Sequence, residues 1–412
     1  MLLKIRPLAS IALVALLAAA VSACVLVPTP LTPATPATTA TPPLSPTDAG
    51  SPSAETPIPT GTFEPTEDPS ATLVDMTQVK GISRLGMIDA LNGWALTDLG
   101  LLRTTNGGFQ WRLANPPGHE PGSNNLKTLF PAGNSGYLPT PRHDFSSGTL
   151  YHTSDAGRTW TNTSVPIAMG ALQFVDTMNG FAMASLGAGA GSEPIAVYAS
   201  QDGGLTWQKR YNTLELETPT ETSLGNGGIK SGFVFLDTQR GYITGSIPME
   251  DYAYLFLTTD GGLTWNHQDL PLPTGDVSYF FTLDEPIFFN ANDGLITSSQ
   301  SPSDSSPIRK AFFVTHDAGA TWTALPSIEG SGPVAAPTAT DWFFWNQTKL
   351  MVTHDAGQNW TEVATNLQLT ESPGTLVFST PTNGWEIHYS GDGAIHFHAT
   401  SDGGQTWLPI IP

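Results

Sequence analysis

Basic residues are scarce in this sequence: 16 lysines and arginines stand against 36 acidic residues among 412, a formal net charge of −20. Phosphate backbones and anionic lipids are bound by basic surfaces, so this balance argues against nucleic acid as a partner and against peripheral binding to an anionic membrane. Charged residues of both signs make up only 13% of the chain, while glycine (41) and proline (35) are abundant. This composition is typical of a loop-rich β protein.

Cysteine is almost absent, and the single Cys24 excludes a disulfide within one chain. Lys4 and Arg6 precede the apolar run IALVALLAAAVSA, which is short for a membrane span and typical of a secretory signal. The run ends in VSAC, which matches the lipobox of bacterial lipoproteins. We therefore predict a signal peptide at 1–23 and a lipid on Cys24 that holds the protein on the extracytoplasmic face of a bacterial membrane. The alternative is an ordinary signal followed by a chance cysteine.

Residues 24–72 have too little apolar surface to form a core. Positions 25–72 hold 12 prolines and 12 threonines, with Phe63 as their one aromatic residue. Such a segment cannot offset its ordering entropy, and proline favours extended polyproline II. We predict a disordered Pro/Thr-rich tether that spaces the rest of the chain from the membrane.

An octapeptide returns seven times beyond the tether, at intervals of 38 to 58 residues, a period typical of propellers and solenoids. Short apolar runs and turns surround each copy, with no helical period, which predicts four short strands per repeat. We therefore expect an all-β fold at 73–412, a single seven-bladed β-propeller of four-stranded antiparallel blades with all seven octapeptides on one face. Residues 73–80 could add a strand to the last blade. The copies are TTNGGFQW (104), TSDAGRTW (153), SQDGGLTW (200), TTDGGLTW (258), THDAGATW (315), THDAGQNW (353) and TSDGGQTW (400).

The octapeptide has the chemistry of a tight turn between the third and fourth strands. Its aspartate can accept hydrogen bonds from nearby backbone N–H groups, and the glycine two positions later supplies a positive φ. The tryptophan begins the fourth strand and can bury its ring between blades. We assign structural roles to these residues: Asn106, Asp155, Asp202, Asp260, Asp317, Asp355, Asp402, Trp111, Trp160, Trp207, Trp265, Trp322, Trp360 and Trp407.

The octapeptides resemble the BNR or Asp-box repeat, S/T-x-D-x-G-x-T-W, over residues 81 to 412. Asp boxes occur in sialidases, xyloglucan-cleaving glycosidases, sortilin-type receptors and photosystem II stability/assembly factors. A glycine–aromatic strand paired with the box makes this chain most similar to the last group and its bacterial lipoprotein relatives. That resemblance implies a non-catalytic module that binds or helps assemble a protein or cell-envelope component. The arginine-rich patch of the assembly factors has no counterpart here, so the client stays open.

A glycoside hydrolase of the sialidase or xyloglucanase type is the alternative function. Sialidases need an arginine triad, a Tyr–Glu pair and an acid. The stretch of this sequence most similar to their first arginine motif is ISRLG, which contains Arg84. Xyloglucanases resemble a pair of propellers, whereas this chain has length for one. We therefore assign no catalytic residue and no cofactor, and we expect a monomer.

Long, variable segments should all lie at the end of the propeller opposite the octapeptides, where loops on a rigid scaffold carry function. They are 112–126, 139–148, 185–194, 208–230, 246–252, 266–278 and 299–309. The candidate contact residues there are Glu193, Glu215, Glu217, Glu221, Glu250, Asp251 and Tyr252.

Three histidines occur in the predicted hairpin EIHYSGDGAIHFHAT. His396 and His398 share a face, and three imidazoles on one face could hold zinc. A two-residue turn at Asp392–Gly393 would set His388 on the other face, whereas a three-residue turn at Gly391–Gly393 would set it opposite His396. We assign no metal and keep His388, His396 and His398 as the candidate set. His316 and His354 should simply be exposed.

Overall fold

The structure is a computed structural model that describes residues 72–119, 129–132, 134–142, 147–216, 223–272, 277–369 and 373–411, with side chains undescribed at 129–132. The predicted signal peptide, Cys24 and the tether up to residue 71 lie outside these residues, as do Glu217 and Glu221. In the described part of the chain, no helix has the length and apolarity needed to cross a bilayer.

The first three octapeptides lie in three separate antiparallel sheets. Short 3-10 helices at Met76–Gln78 and Thr213–Glu215 flank these sheets. Unit one contains β1 (Leu73–Val74), β2 (Ile82–Met87), β3 (Gly93–Thr97), β4 (Gly100–Thr104) and β5 (Trp111–Leu113). Unit two contains β6 (Leu129–Ala132), β7 (Ser135–Pro141), β8 (Gly148–Thr153) and β9 (Thr161–Val165). Unit three contains β10 (Gly170–Phe174), β11 (Gly180–Ser185), β12 (Ile195–Ser200) and β13 (Gln208–Asn212).

The fourth and fifth octapeptides share one ten-stranded sheet, joined through a single pair, Ser246 with Thr282. Unit four contains β14 (Ile229–Phe235), β15 (Gly241–Ser246), β16 (Leu255–Thr258) and β17 (Asn266–His267). Unit five contains β18 (Tyr279–Leu283), β19 (Ile287–Phe288), β20 (Gly294–Pro302), β21 (Arg309–Thr315), β22 (Thr323–Ala324) and β23 (Ile328–Glu329). Its first strand is split into β18 and β19, and both halves pair with β20.

The last two octapeptides again lie in separate four-stranded sheets. Unit six contains β24 (Val334–Ala335), β25 (Trp342–Asn346), β26 (Lys349–Thr353) and β27 (Thr361–Glu362). Unit seven contains β28 (Thr375–Phe378), β29 (Gly384–Tyr389), β30 (Ile395–Thr400) and β31 (Leu408–Ile411). Each unit follows the order first, second, third, fourth strand, so the prediction of an all-β propeller with four-stranded antiparallel sheets is confirmed.

A glycine opens the second strand in most units because the last side chain of the first strand covers it. At Gly384 a Cβ would lie 2.5 Å from the ring of Phe378, and at Gly241 it would lie 2.8 Å from the ring of Phe235. Real Cβ atoms do not approach other heavy atoms so closely, so any larger residue would displace the ring.

The aromatic residue after that glycine packs on the next unit. Phe181 of unit three stacks on Phe235 of unit four with ring centroids 3.6 Å apart, and Tyr137 stacks on Phe174 at 4.0 Å. Aromatic stacking adds about 0.5–1.5 kcal/mol beyond the area it buries. The glycine–aromatic signature of the sequence is therefore the joint between neighbouring units.

The octapeptide turn of every unit is hydrogen-bonded to the turn between the first two strands. The N–H of its fourth residue donates to a carbonyl of that first turn, for example Gly261 to Gln239 at 2.8 Å. Both turns therefore lie at one end of the unit, and the stacked rings near this end place the turns of neighbouring units on the same face. The other pairs are Gly107 to Leu91, Ala156 to Asn134, Gly203 to Met178, Ala318 to Asn292, Ala356 to Thr340 and Gly403 to Thr382.

The first and last units pack directly against each other. Trp385 of unit seven is buried in a shared apolar cluster with Trp111 of unit one, and its indole N–H donates to the carbonyl of Gly107 at 2.8 Å. The suggestion that residues 73–80 add a strand to the last unit is wrong, because Leu73–Val74 pairs with β5 of unit one. The fourth strand of unit one otherwise presents an open edge, and β1 covers it.

Candidate functional site

The octapeptide carboxylates are fully occupied by their own turns. Asp317 accepts hydrogen bonds from the N–H of Thr321 (2.8 Å), from the Thr321 hydroxyl (2.7 Å) and from the Thr315 hydroxyl (2.8 Å). The bonds from the Thr321 backbone and side chain lower the pKa of Asp317 to about 2. A carboxylate held in this state is a poor proton donor near neutral pH.

The same turn forms around every other octapeptide. Asn106 of the first copy accepts from the N–H of Gln110 at 2.9 Å, the place that aspartate fills elsewhere. The predicted positive φ is present at the glycine two positions after the aspartate, with φ of 81° at Gly157 and 86° at Gly262. Trp111, Trp265, Trp322 and Trp407 are buried, whereas Trp160, Trp207 and Trp360 are half-buried.

At the opposite end of units three and four, three segments form one structured surface, which we call the loop face: residues 186–194, 223–228 and 247–254. The N–H of Glu193 donates to the carbonyl of Asn226 at 2.8 Å, and the N–H of Gly228 donates to the carbonyl of Gly191 at 2.9 Å. The hydroxyl of Tyr254 donates to the carbonyl of Gly227 at 2.9 Å. These bonds join the second loop of unit three to the link that enters unit four.

A buried lysine holds the loop face together. The ammonium of Lys230 donates to the carbonyls of Glu193 (2.7 Å) and Gly227 (2.8 Å), and it lies within 3.1 Å of three more. Glu193 is also buried, and its carboxylate accepts the N–H of Lys230 at 2.7 Å. Burial lowers the pKa of Lys230 to about 8, and Glu193 opposes that shift. This cage could not be predicted from local sequence, because it joins residues 37 positions apart.

Some of the candidate contact residues hold the loop face together, and others are exposed on it. Glu193 supports the lysine cage, and Tyr252 is half-buried against the ring of His267, with centroids 4.6 Å apart. Glu250 and Asp251 are exposed. Asp251 has a φ of 57° and accepts the N–H of Tyr279 at 3.0 Å, which fixes its loop against unit five.

Glu215 lies beside the loop face, at the end of the 3-10 helix, where it is exposed and pairs with Lys209. Large apolar side chains are exposed at the same end of the molecule: Leu186, Leu214, Ile229 and Met249. These apolar residues were not among the predicted contact residues, which are all acidic or aromatic, although each lies in or next to a long link.

A separate open groove runs between units two and three, with the aromatic rings of Tyr198 and Trp207 among its walls. Aromatic walls suit a sugar. None of the described residues that line this groove carries a carboxylate, whereas a glycosidase needs a pair of them. The lining residues are Ser147, Ser164, Pro166, Tyr198, Leu205 and Trp207.

The histidine hairpin adopts the three-residue turn. Tyr389 pairs with Ile395 and His388 with His396, and the N–H of Ser390 donates to the carbonyl of Ala394 at 2.9 Å, which leaves Gly391–Gly393 in the turn. All three histidines therefore share one face, and their rings are stacked. The same face carries Glu386, which is fully buried and contacts His388 and His398. Glu386 was not among the predicted site residues, although its spacing of two from His388 places both on one face of a strand. His316 and His354 are exposed, and each pairs with an aspartate.

The chain matches no family model and no curated protein. Among solved structures, it is similar to YCF48 bound to D1 peptide: 15% identity over 81% of this chain and 93% of that chain, with a TM-score of 0.50. It is also similar to the GH74 xyloglucanase from Xanthomonas campestris: 12% identity over 82% of this chain, with a TM-score of 0.56.

The chain spans 56% of the length of that xyloglucanase. These likenesses confirm the predicted resemblance to propellers of the YCF48 kind at the level of the fold. They include both a peptide-bound protein and a glycoside hydrolase, so the fold leaves both functions open.

Proposed function

We propose that this chain is a non-catalytic binding module, lipid-anchored through Cys24 outside a bacterial membrane, that holds a protein or envelope component on its loop face. The observation that carries the proposal is the hydrogen-bonded union of the three loop-face segments around Lys230. A surface ordered before binding avoids the entropic cost of ordering loops in the complex.

The chemistry of this surface indicates the kind of partner. Exposed Met249 lies beside the exposed acids Glu250 and Asp251. Such a surface suits a segment with apolar and basic side chains, and the net charge of −20 would speed its approach. YCF48, a protein of similar fold, has been solved with a bound peptide, which is consistent with a polypeptide ligand.

The absence of suitable carboxylates argues against hydrolysis at the sites described above. The octapeptide aspartates are engaged in their turns, and the described lining of the aromatic groove has none. One charged substitution on the loop face and one on the octapeptide face can show which of the two faces binds the partner. Met249 on the loop face and Leu263 in the octapeptide turn of the same unit are both 48% exposed.

The test is affinity capture from the producing cells with the wild-type chain, Met249→Lys and Leu263→Lys. We expect Met249→Lys to weaken capture of a reproducible partner by about tenfold or more, as for a well-placed interface residue, and Leu263→Lys to leave it unchanged. Equal loss in both variants would contradict the placement of the site. Release of reducing sugar from a polysaccharide by the wild-type chain would contradict the non-catalytic role.

A further inference from the structure

The hairpin of unit seven breaks a rule that the other six units obey. In each unit, one residue near the start of the second strand, the third or fourth of that strand, pairs across to the residue two positions before the octapeptide. In six units both partners are apolar or aromatic: Ala95 with Leu102, Leu138 with Tyr151, Ala182 with Tyr198, Ile243 with Phe256, Ile296 with Phe313, and Phe344 with Met351. In unit seven the pair is Glu386 with His398.

Glu386 therefore places a carboxylate at a position where the other six units have a packed apolar side chain. Glu386 is fully buried, like Ile296 and Ile243 at the same place in their units. Taking an ionised carboxylate out of water is costly unless strong partners compensate. An apolar residue at this position satisfies the fold in six units, so packing alone gives no reason for a glutamate here.

The partners of Glu386 are imidazole nitrogens. Nδ1 of His388 lies 3.1 Å from Oε2, and Nδ1 of His398 contacts Oε1. The His388 and His398 rings are nearly parallel, with an interplanar angle of 4°. One ligand atom from each of the three residues lies within 4.8 Å of the other two.

We propose that Glu386, His388 and His398 form a zinc site. Two imidazoles and one carboxylate are a donor set that Zn²⁺ prefers, with the fourth position open to water or another ligand. Ligand atoms on a tetrahedral zinc stand about 3.4 Å apart, given bonds of about 2.1 Å. Small rotations of the two half-buried histidine side chains would bring the present atoms to that spacing around an ion.

His396 lies beside the set rather than within it. Its ring stacks on His388 with centroids 4.8 Å apart and is farther from His398, at 6.5 Å. We assign it the role of a neighbour that holds the His388 ring in position. The site replaces the all-histidine set suggested by the sequence, and Glu386 takes the place of His396.

The repeat itself supplies a variant that should fold. Glu386→Ile combined with His398→Phe copies the Ile296–Phe313 pair of unit five. His316→Ala combined with His354→Ala is the matched control, because these exposed histidines pair with Asp293 and Asp341 and are the competing surface sites for a metal.

The experiment is calorimetric titration of the chelator-treated full chain with Zn²⁺ alone, and with Mg²⁺ as the control ion. We expect one saturable zinc site per chain and an increase in melting temperature with zinc but not with magnesium. The Glu386→Ile, His398→Phe variant should lose about 100-fold or more in affinity, beyond the range for residues around the ligands, whereas the surface variant should keep it. A hydrogen-bonded Glu–His network without metal predicts no saturable site.

Co²⁺ substitution in the wild-type chain gives a second result that does not depend on the folding of a variant. Four-coordinate Co²⁺ with nitrogen and oxygen ligands has intense absorption bands in the visible range. We expect these bands to reach their full intensity at one equivalent of Co²⁺ per chain. Absence of saturable zinc binding, zinc affinity that follows His316 and His354, or the weak spectrum of hydrated cobalt would each overturn the proposal.

Discussion

Replacing Gly261 by alanine should destabilise the propeller more than the same change at Gly403. Both glycines occupy the fourth position of their octapeptides and have nearly equal φ, 72° and 74°. A left-handed conformation costs a residue with a Cβ about 1–2 kcal/mol, and the loss of glycine's freedom in the unfolded chain returns about 0.4–1 kcal/mol. The backbone contribution is therefore about 1 kcal/mol at both positions.

Space for the new methyl group separates the two sites. A Cβ on Gly261 would lie 2.8 Å from the carbonyl oxygen of Thr238, whereas on Gly403 it would lie 3.3 Å from that of Pro381. Relieving the tighter contact requires a backbone shift, and overpacking of this kind adds about 1–3 kcal/mol. We expect losses of about 2–4 kcal/mol for Gly261→Ala and about 1 kcal/mol for Gly403→Ala.

The assay is urea unfolding followed by tryptophan fluorescence, with the slope of the transition checked for equality between variants. Ala318, at the same position of unit five, has a φ of 58° and is the reciprocal control: Ala318→Gly should be neutral or stabilise by up to about 1 kcal/mol. A cost for Gly403→Ala that equals or exceeds that of Gly261→Ala would refute the argument from the turn geometry.

Three further predictions concern other parts of the ring. Trp385→Phe removes the bond to Gly107 at the junction of the first and last units and should lower the free energy of unfolding by about 1–3 kcal/mol; an unchanged urea midpoint would contradict this account of closure. Lys230→Met leaves buried carbonyls without their donor and should cost about 3–5 kcal/mol, with faster amide exchange at 223–228; normal exchange there would show that the cage does not order the loop face. The pKa of Asp317 and of Asp355 is lowered to about 2, so the stability that these ionised carboxylates contribute is present above pH 4 and is lost as the pH falls through 2. The urea midpoint should therefore fall between pH 4 and pH 2, and it should fall less steeply in Asp317→Asn. A urea midpoint that does not change over this window would contradict the prediction.

Much of the fold was predictable because the repeated octapeptide specifies a turn of defined geometry. An octapeptide with aspartate, glycine and tryptophan at fixed positions specifies one turn, and its recurrence specifies a ring of similar units. The glycine–aromatic signature was also visible, but its role was not. That glycine is required by the ring that covers it, as at Gly384 under Phe378, and such a contact cannot be inferred from local sequence.

The candidate site was less predictable because it depends on contacts between distant segments. Nothing in the sequence around Lys230 indicates that five carbonyls surround its ammonium, since Glu193 belongs to another unit. The register of the histidine hairpin depended on a turn of two or three residues, and both were compatible with the sequence. Glu386 stands out when the seven units are aligned position by position, because the other six units have an apolar residue in its place.

The most direct test of the central claim is site-specific photo-crosslinking on the two faces of unit three. A photoreactive residue replaces either Leu186, 43% exposed at the loop face, or Met178, 50% exposed beside the octapeptide turn. In cells that produce the full chain, we expect a discrete crosslinked protein from position 186 and none from position 178. Crosslinks from 178 alone, or equal crosslinks from both positions, would contradict a binding surface on the loop face.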